Sequence, residues 1–450
     1  MRKTLCYLLA VLGLALAMST RATALSIQER IDAIVAPHLE AGDFMGVVGV
    51  QLDGGEALLL PYGLASVELK VPHRDSSVFM IGSISKQFTA AAVLALEEAG
   101  SLDITDLVAK HLPDFPHGSL MTIEQLLTHT SGVVDIYSLE RFGASAGREG
   151  SFEEIIGDIG LADLTFSPGS GYAYSNGGYA VLAAVIERVS GVSYGDFLRS
   201  RFFERLGMSQ TAHDGPSAAV TGRVPGYDPW GQTELSPAVP VSAAFTTGSG
   251  SLWSSARDLL KWSAALHGGQ VLGESWYEKL ARDHGHGYGY GVSVFQRFGR
   301  DVIGHDGRVA GYSSDLARYV DEKTTIVILS NVQSVARDEI RRLVAAAVFG
   351  EEYTVPPAKR YPEPPTASLG ELTGAYSFGP GFEVSISVSG SRLLARANQG
   401  GYSELVSAGA GTWFSRMLYA TVRFGRDGGG KVDRLIWGEG EGAPVGRKVR

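Results

Sequence analysis

The prolines between residues 355 and 366 constrain this 450-residue chain more than any other single feature. Pro356, Pro357, Pro362, Pro364 and Pro365 crowd one short stretch, and each fixes its own φ and lacks a backbone N–H, so neither a helix nor a central strand can run through it. The stretch reads as a stiff connector between two folding units. On that division, residues 25–350 form a large domain, 351–366 the linker and 367–450 a small C-terminal domain.

Residues 1–24 are expected to be removed. Arg2 and Lys3 precede an apolar run from Leu5 to Met18, and Ala22-Thr23-Ala24 supplies the small residues of a cleavage site, which is the layout of a secretory signal peptide. The apolar run falls short of the roughly 20 residues that cross a bilayer. Export to a periplasmic or secreted location without a stable membrane anchor is therefore the expectation. Cys6 is the only cysteine and lies in this leader, so no disulfide framework, cysteine-zinc site or thiol nucleophile is expected in the mature chain. Against 39 basic residues stand 48 acidic ones, and no run of lysine and arginine interrupts the body. That balance disfavours a nucleic-acid groove or an anionic membrane surface.

Within 25–350 the pattern mixes helices and strands. Ser26 with Glu29 is a capping box ahead of Ile31, Ile34, Val35 and Leu39 at helical spacing, so the mature chain opens on a helix. The runs 46–52 and 56–60, split by Asp53-Gly54-Gly55, predict a hairpin. Late in the domain, 290–295, 302–307, 313–320 and 325–330 are strand-like and closely spaced. The fold class read from this is α+β, an antiparallel sheet with helices packed on it. The C-terminal segment, with alternating runs such as 382–388 and 419–424 between glycine-rich turns, reads as a small all-β domain.

Three short motifs carry chemistry. Ser83-Ile84-Ser85-Lys86 precedes Phe88, Ala91, Ala92, Ala95 and Leu96 at helical spacing, with Val93 and Leu94 making the other face apolar as well. The helix must therefore be buried. Residues three apart on a helix are neighbours, so the lysine can sit beside the serine hydroxyl, and a desolvated amine can take a proton that serine does not release unaided at neutral pH. By itself the motif is weak, since ten lysines give about one Ser-x-x-Lys by chance. Tyr174-Ser175-Asn176 is sharper, because only three asparagines exist and only Asn176 has a tyrosine two residues before it. A tyrosine between two cations would have its phenol pKa lowered and could relay a proton. The third motif is His305-Asp306-Gly307 on a strand pattern, where glycine permits close backbone approach.

Taken in order, Ser83-x-x-Lys86, Tyr174-x-Asn176 and His305-x-Gly307 resemble the three motifs of the serine β-lactamase and penicillin-binding protein superfamily, closest to its class C-type branch. That branch includes D-alanyl-D-alanine carboxypeptidases, D-aminopeptidases and esterases. The flanking residues 121–132 and 304–307 are similar to family stretches, and the likeness covers about residues 25–350. The segment 367–450 resembles, less specifically, a β-barrel-like extension of some members. The resemblance implies a β-lactamase/transpeptidase-like fold, with the antiparallel sheet joined by a helical subdomain. It also implies Ser83 as nucleophile, Lys86 as its activating partner and Tyr174 as proton relay. Asn176 would hold Lys86 and the substrate amide, His305 would face the serine across the cleft, and the Ser83 and Arg308 amides would form the oxyanion hole. A β-lactamase usually has Lys-Thr-Gly where this chain has His305-Asp306-Gly307, and Arg308 is the residue placed to supply the missing charge. The expected activity is hydrolysis of a small amide or ester, a D-amino-acid peptide or a carboxylic ester, with no cofactor and no metal. A β-lactamase, or a penicillin-binding sensor with little turnover, is the alternative. The expected partner is a small molecule or short peptide, cell-wall material being one source.

Other residues imitate active sites. Gly191-Val192-Ser193-Tyr194-Gly195 matches a nucleophile elbow, but a helix rather than a strand is predicted before it. His284 and His286 lack further ligands at metal spacing, His213 and His267 fall in a polar loop and at a helix end, and His129 is read as fixing a turn. Gly248-Ser249-Gly250 lacks the lysine of a phosphate loop and is read as a tight approach near the cleft.

Overall fold

The computed structural model describes residues 25–145, 149–213, 220–362, 369–379, 382–398 and 401–449; the leader, with Cys6, and prolines 364 and 365 lie outside them. The chain opens on helix α1 (Ile27–Glu40), whose capping box forms as expected: Ser26 accepts from the Glu29 amide and Glu29 reaches back to the Ser26 backbone. The hairpin follows as β1 (Gly46–Gln51) and β2 (Leu58–Tyr62). The late strands are β3 (Ser293–Arg297), β4 (Arg300–Val309), β5 (Tyr312–Tyr319) and β6 (Thr324–Ser330). The first starts later than expected because Gly289 to Gly291 make a turn, with the Gly289 amide bonded to the Val292 carbonyl and Gly291 at φ 69°.

These six strands form one antiparallel sheet in the order β3-β4-β5-β6-β1-β2. The N-terminal hairpin thus completes a sheet whose other strands arrive more than 200 residues later, Val48 lying opposite Ile328. Pro61 is tolerated in β2 because that strand is an edge. Side chains alternate across the sheet. Val48, Val50, Ile326 and Ile328 meet α1 and the C-terminal helix α5 (Ala336–Phe349), whereas Val47, Val327 and Leu329 join the larger core on the other face. Every residue of β6 is buried, as a strand covered on both faces requires.

The larger core contains α2 (Ser85–Glu98), α3 (Asn176–Ser190) and α4 (Ala256–His267). Helix α2 is buried from Ser85 through Leu96, and Phe88 stacks on Trp262 of α4 at 3.9 Å between centroids. Each such fully buried apolar side chain contributes about 1.5–3 kcal/mol, so α2 is a rigid base for whatever precedes it.

Past α5, residues 351–362 carry no helix or strand. The C-terminal segment then forms a closed eight-stranded antiparallel barrel in sequential order, from Gly374–Gly379 to Val445–Lys448. Its interior is filled by side chains such as Tyr376, Leu393, Leu405, Trp413, Val422 and Leu435. Among the described residues, no helix is long and apolar enough to cross a membrane.

Candidate active site

Ser83 lies not on α2 itself but in the 3-10 turn Gly82–Ile84 that leads into it. Two glycines make that turn possible. Gly82 has φ +51°, and a Cβ there would stand 2.8 Å from the Arg308 amide nitrogen; a Cβ on Gly307 would strike the Ile81 carbonyl and Ser314 Oγ. With hydrogen in both places, the end of β4 lies directly against the Ser83 turn, and the Arg308 backbone is brought beside Gly82.

Lys86, one turn into α2, has no exposed surface. Its Nζ donates to Asn176 Oδ1 at 2.8 Å and to the Ser249 carbonyl at 2.8 Å, and lies 3.1 Å from Ser83 Oγ. Burial lowers its pKa to about 7, against the opposing pull of the Asp135 and Asp306 carboxylates. The bond count is informative. A neutral amine has two N–H groups and one lone pair, and the two carbonyl oxygens, which can only accept, occupy both N–H groups. The lone pair is then left for the Ser83 hydroxyl proton.

Ser175 caps α3, accepting from the Gly178 amide at 3.0 Å and donating to the Val134 carbonyl at 3.1 Å. This places Asn176 over Lys86 and leaves Tyr174 facing the cleft, 36% exposed, with Lys86 Nζ 4.8 Å from its ring centroid and its phenol close enough to Ser83 to feel it. The expectation of a lowered phenol pKa is corrected: burial of the hydroxyl end raises it well above its ordinary value, outweighing the effect of Ser83. His305 is 6% exposed, and burial pushes its pKa down to about 4 in spite of Asp306, so the ring is neutral near pH 7.

His305 also differs from expectation in direction. Its Nδ1 contacts the Asp306 carbonyl and its Nε2 lies 2.9 Å from the Tyr288 hydroxyl. Because a carbonyl only accepts, Nδ1 carries the proton and Nε2 accepts from Tyr288. Both ring nitrogens are thus engaged, and the imidazole meets Tyr174 through its ring, 6.2 Å between centroids, rather than presenting a free donor to Ser83. Arg308 is exposed at the end of β4, close enough to the Tyr137 phenol for its charge to act on it.

Two supporting residues carry no signal in the sequence. Asp135 Oδ2 accepts from both the Asn176 amide at 3.0 Å and Asn176 Nδ2 at 2.9 Å, which turns Asn176 Oδ1 toward Lys86. His129 was read only as a turn residue, and it does hold φ +60°. Its buried ring also accepts the Ser175 amide through Nδ1 at 3.1 Å and packs 4.3 Å from the Tyr174 ring; burial holds its pKa well below the ordinary value, so it stays an acceptor. Asp135→Ala is expected to lower kcat about 100-fold, the scale of a displacement of about 1 Å at the reacting group, while Asp135→Asn, which keeps an accepting oxygen, retains most activity. Steady-state kinetics on both variants checks this.

The imitating residues have other roles. Ser193 is the N-cap of the helix Tyr194–Leu198, just past the αL residue Gly191 that ends α3. His284 bonds to the Lys279 carbonyl at 2.8 Å, and His286 stacks on Tyr172. His213 lies not in a loop but in the two-residue strand Ala212–His213, paired with Leu252–Ser255, and His267 is the last residue of α4. Gly248, at φ +78°, packs on the Tyr179 backbone and sets the Ser249 carbonyl on Lys86. Among the described residues no three His, Cys, Asp or Glu side chains are grouped to hold a metal.

The arrangement sets a buried amine and a protonated phenol beside one hydroxyl. The chain is similar to several known proteins. Penicillin-binding protein 4* of Bacillus subtilis (strain 168) is 29% identical over 414 residues, covering 86% of this chain and 91% of that protein. D-aminopeptidase of Gluconobacter oxydans (strain 621H) is 26% identical over 333 residues, covering 72% of this chain and 62% of that one. The octameric penicillin-binding protein homologue from Pyrococcus abyssi shares the fold at a TM-score of 0.64 and 23% identity, over 94% of this chain and all of that one, so the likeness of fold takes in the barrel. The family described as Beta-lactamase matches residues 31–349. The chain belongs to the β-lactamase family and is a serine hydrolase of that family.

Proposed function

We propose that the protein is exported and hydrolyses a small amide or ester, a D-amino-acid peptide or a carboxylic ester, through an acyl-enzyme on Ser83. The observation that carries the reading is Lys86: fully buried, with a pKa near 7, and with its two carbonyl partners directing the lone pair at Ser83 Oγ 3.1 Å away. In this reading neutral Lys86 takes the hydroxyl proton as Ser83 Oγ attacks the carbonyl carbon. The oxyanion is met by the Ser83 and Arg308 amides. The Tyr174 hydroxyl, whose raised pKa keeps it a donor, gives its proton to the leaving nitrogen or oxygen as the scissile bond breaks, and the proton taken up by Lys86 restores the phenol. Water then enters where the leaving group departed, and the same two groups run in reverse to release the acid.

Peptidase or esterase activity ranks above β-lactamase because the third motif holds a neutral, fully engaged His305 where a lysine would offer charge to a β-lactam carboxylate. Arg308 is the exposed cation at that end, and we assign it to a substrate carboxylate. Arg308→Ala is expected to raise KM for carboxylate-bearing substrates about ten- to a hundredfold, the worth of one charge-assisted hydrogen bond; an unchanged KM removes the assignment. Export rests on the leader 1–24, and the expected substrate is a small molecule or short peptide such as cell-wall material would release.

The test is time-resolved intact-mass measurement with a fluorescent penicillin, nitrocefin, a p-nitrophenyl ester and a D-alanyl peptide. Transient mass addition to the Ser83 peptide, with turnover of the ester or the D-peptide, supports the reading. Fastest turnover of nitrocefin would make the protein a β-lactamase, and a persistent penicillin adduct without turnover would make it a sensor.

A further inference from the structure

One barrel side chain is buried deep in the catalytic region. Arg416 stands in the turn between the barrel strands Thr412–Ser415 and Ala420–Arg426 and is 2% exposed. Its Nε donates to Asp43 Oδ1 at 2.8 Å, and its Nη2 to the carbonyls of Ala41 at 3.0 Å and Gly42 at 2.9 Å. Its Nη1 reaches three more carbonyls, Trp230 at 2.9 Å, Glu234 at 3.0 Å and Gly231 at 3.3 Å. All of these acceptors belong to the catalytic region. The last three lie in the hairpin of strands Tyr227–Trp230 and Glu234–Pro237, whose tip is held from the barrel a second time by Glu404, which accepts the Gly231 amide at 2.8 Å.

Two chains of contacts run from this anchor to one place. At the base of the hairpin, the Tyr227 amide donates to the Gly311 carbonyl at 3.2 Å and the Asn331 carbonyl at 2.9 Å, and Gly226 packs so closely on Gly311 that a Cβ would come within 2.9 Å of its Cα. Gly311 is in the turn between β4 and β5. By the other route, the Arg416 carbonyl accepts from Ser334 Oγ at 2.7 Å and the Ser334 carbonyl accepts from Ser313 Oγ at 2.9 Å. Ser313 lies opposite Arg308 in the β4–β5 ladder. Both routes end on residues 308–313, where β4 leaves the cleft.

We infer that Arg416 is a positioning residue for the substrate-binding end of the cleft: through the 227–237 hairpin and Ser334, the C-terminal barrel sets the β4–β5 turn and with it the Arg308 side chain. This rests on the proposed role of Arg308 in binding a substrate carboxylate. The Arg308 amide is held independently, against Gly82 on the other side of the strand, so the barrel governs binding of the far part of the substrate and leaves acylation alone. A barrel that only stabilised the chain would have no such selectivity.

The experiment uses the full-length chain. Arg416→Met alone would leave Asp43 buried without its partner, which is strongly destabilising, so the variant is the double Arg416→Met, Asp43→Asn, with the milder Ser334→Ala beside it and thermal melts to verify folding. Each is assayed on p-nitrophenyl acetate, which has no carboxylate, and on a carboxylate-bearing D-peptide, alone and combined with Arg308→Ala. The expected result for the folded double variant is a KM for the D-peptide raised about tenfold, with kcat on p-nitrophenyl acetate within about twofold, and a KM for its combination with Arg308→Ala no higher than that of Arg308→Ala alone. Ser334→Ala changes the same KM in the same direction by a smaller factor and is decisive should the double variant not fold. If Arg308→Ala raises KM and neither variant does, or if the effects multiply in full, the inference is overturned and the Arg308 assignment stands. If Arg308→Ala itself changes nothing, both fall.

Discussion

Ser83→Ala protein is expected to take up no acyl group from any substrate and to lose about 10⁶-fold in kcat, the scale on which removal of a serine nucleophile leaves only binding and oxyanion stabilisation. The fold should be unaffected. Ser83 Oγ is a partner of Lys86 and fills no core position, its residue being only half-buried, so the change opens no cavity and leaves Lys86 its two carbonyl acceptors. Intact-mass labelling and a thermal melt on the same sample check both halves. Undiminished turnover in Ser83→Ala would sink the acyl-enzyme reading, and Ser193, the rival nucleophile by its motif, is held as a helix cap.

Lys86→Met should lower kcat/KM by about 10³–10⁴-fold, the upper range for loss of a positioned base. The pH dependence identifies the cause. In the wild type, acylation should rise as pH passes through about 7, where Lys86 loses its proton, and that limb should vanish in Lys86→Met. Stability gives a second signature with a definite sign. The folded lysine has a pKa of about 7 and an unfolded lysine about 10.4, so between these values the unfolded state binds more protons and stability rises with pH. The penalty of burying the ammonium is therefore fully present below pH 7 and is relieved as pH climbs toward 10. Melting temperatures of wild type and Lys86→Met, compared from pH 6 to 10, should show wild type gaining on the variant across that window. A constant difference would mean that Lys86 is not depressed in the native state, and the base role would go with it.

The legible parts of this molecule are those whose cause lies within a few residues. Ser26 and Glu29 close their capping box within one turn. Gly191 ends α3 because it alone of its neighbours takes φ +73° without strain. The short run 325–330 marks a strand because its Thr, Ile and Val residues fit a pleated sheet buried on both faces. Ser83, Lys86, Tyr174 and Asn176 could be singled out because each pair sits two or three residues apart. Asp135 and His129 could not. Asp135 supports Asn176 across 41 residues of chain and His129 supports Ser175 across 46, and neither separation leaves any pattern in the sequence. The raised phenol pKa of Tyr174 was hidden for the same reason. Sequence names the neighbouring charges, but here desolvation by the whole surrounding structure outweighs them.

By itself, then, the sequence determined the division of the chain at its prolines, the helices and strands on either side, and the short motifs that supply a hydroxyl, an amine, a phenol and an amide. Tertiary structure decided that they meet: Lys86 touches Asn176 across 90 residues and the Ser249 carbonyl across 163, and only that enclosure strips the lysine of water and lowers its pKa. It decided also that β1 pairs with β6, that His305 turns to Tyr288, and that a barrel arginine reaches into the catalytic region. Capping, alternation and backbone sterics act over one or two turns and are written locally. Desolvation and packing between distant elements depend on every surface that closes around them, and no short stretch of sequence records that.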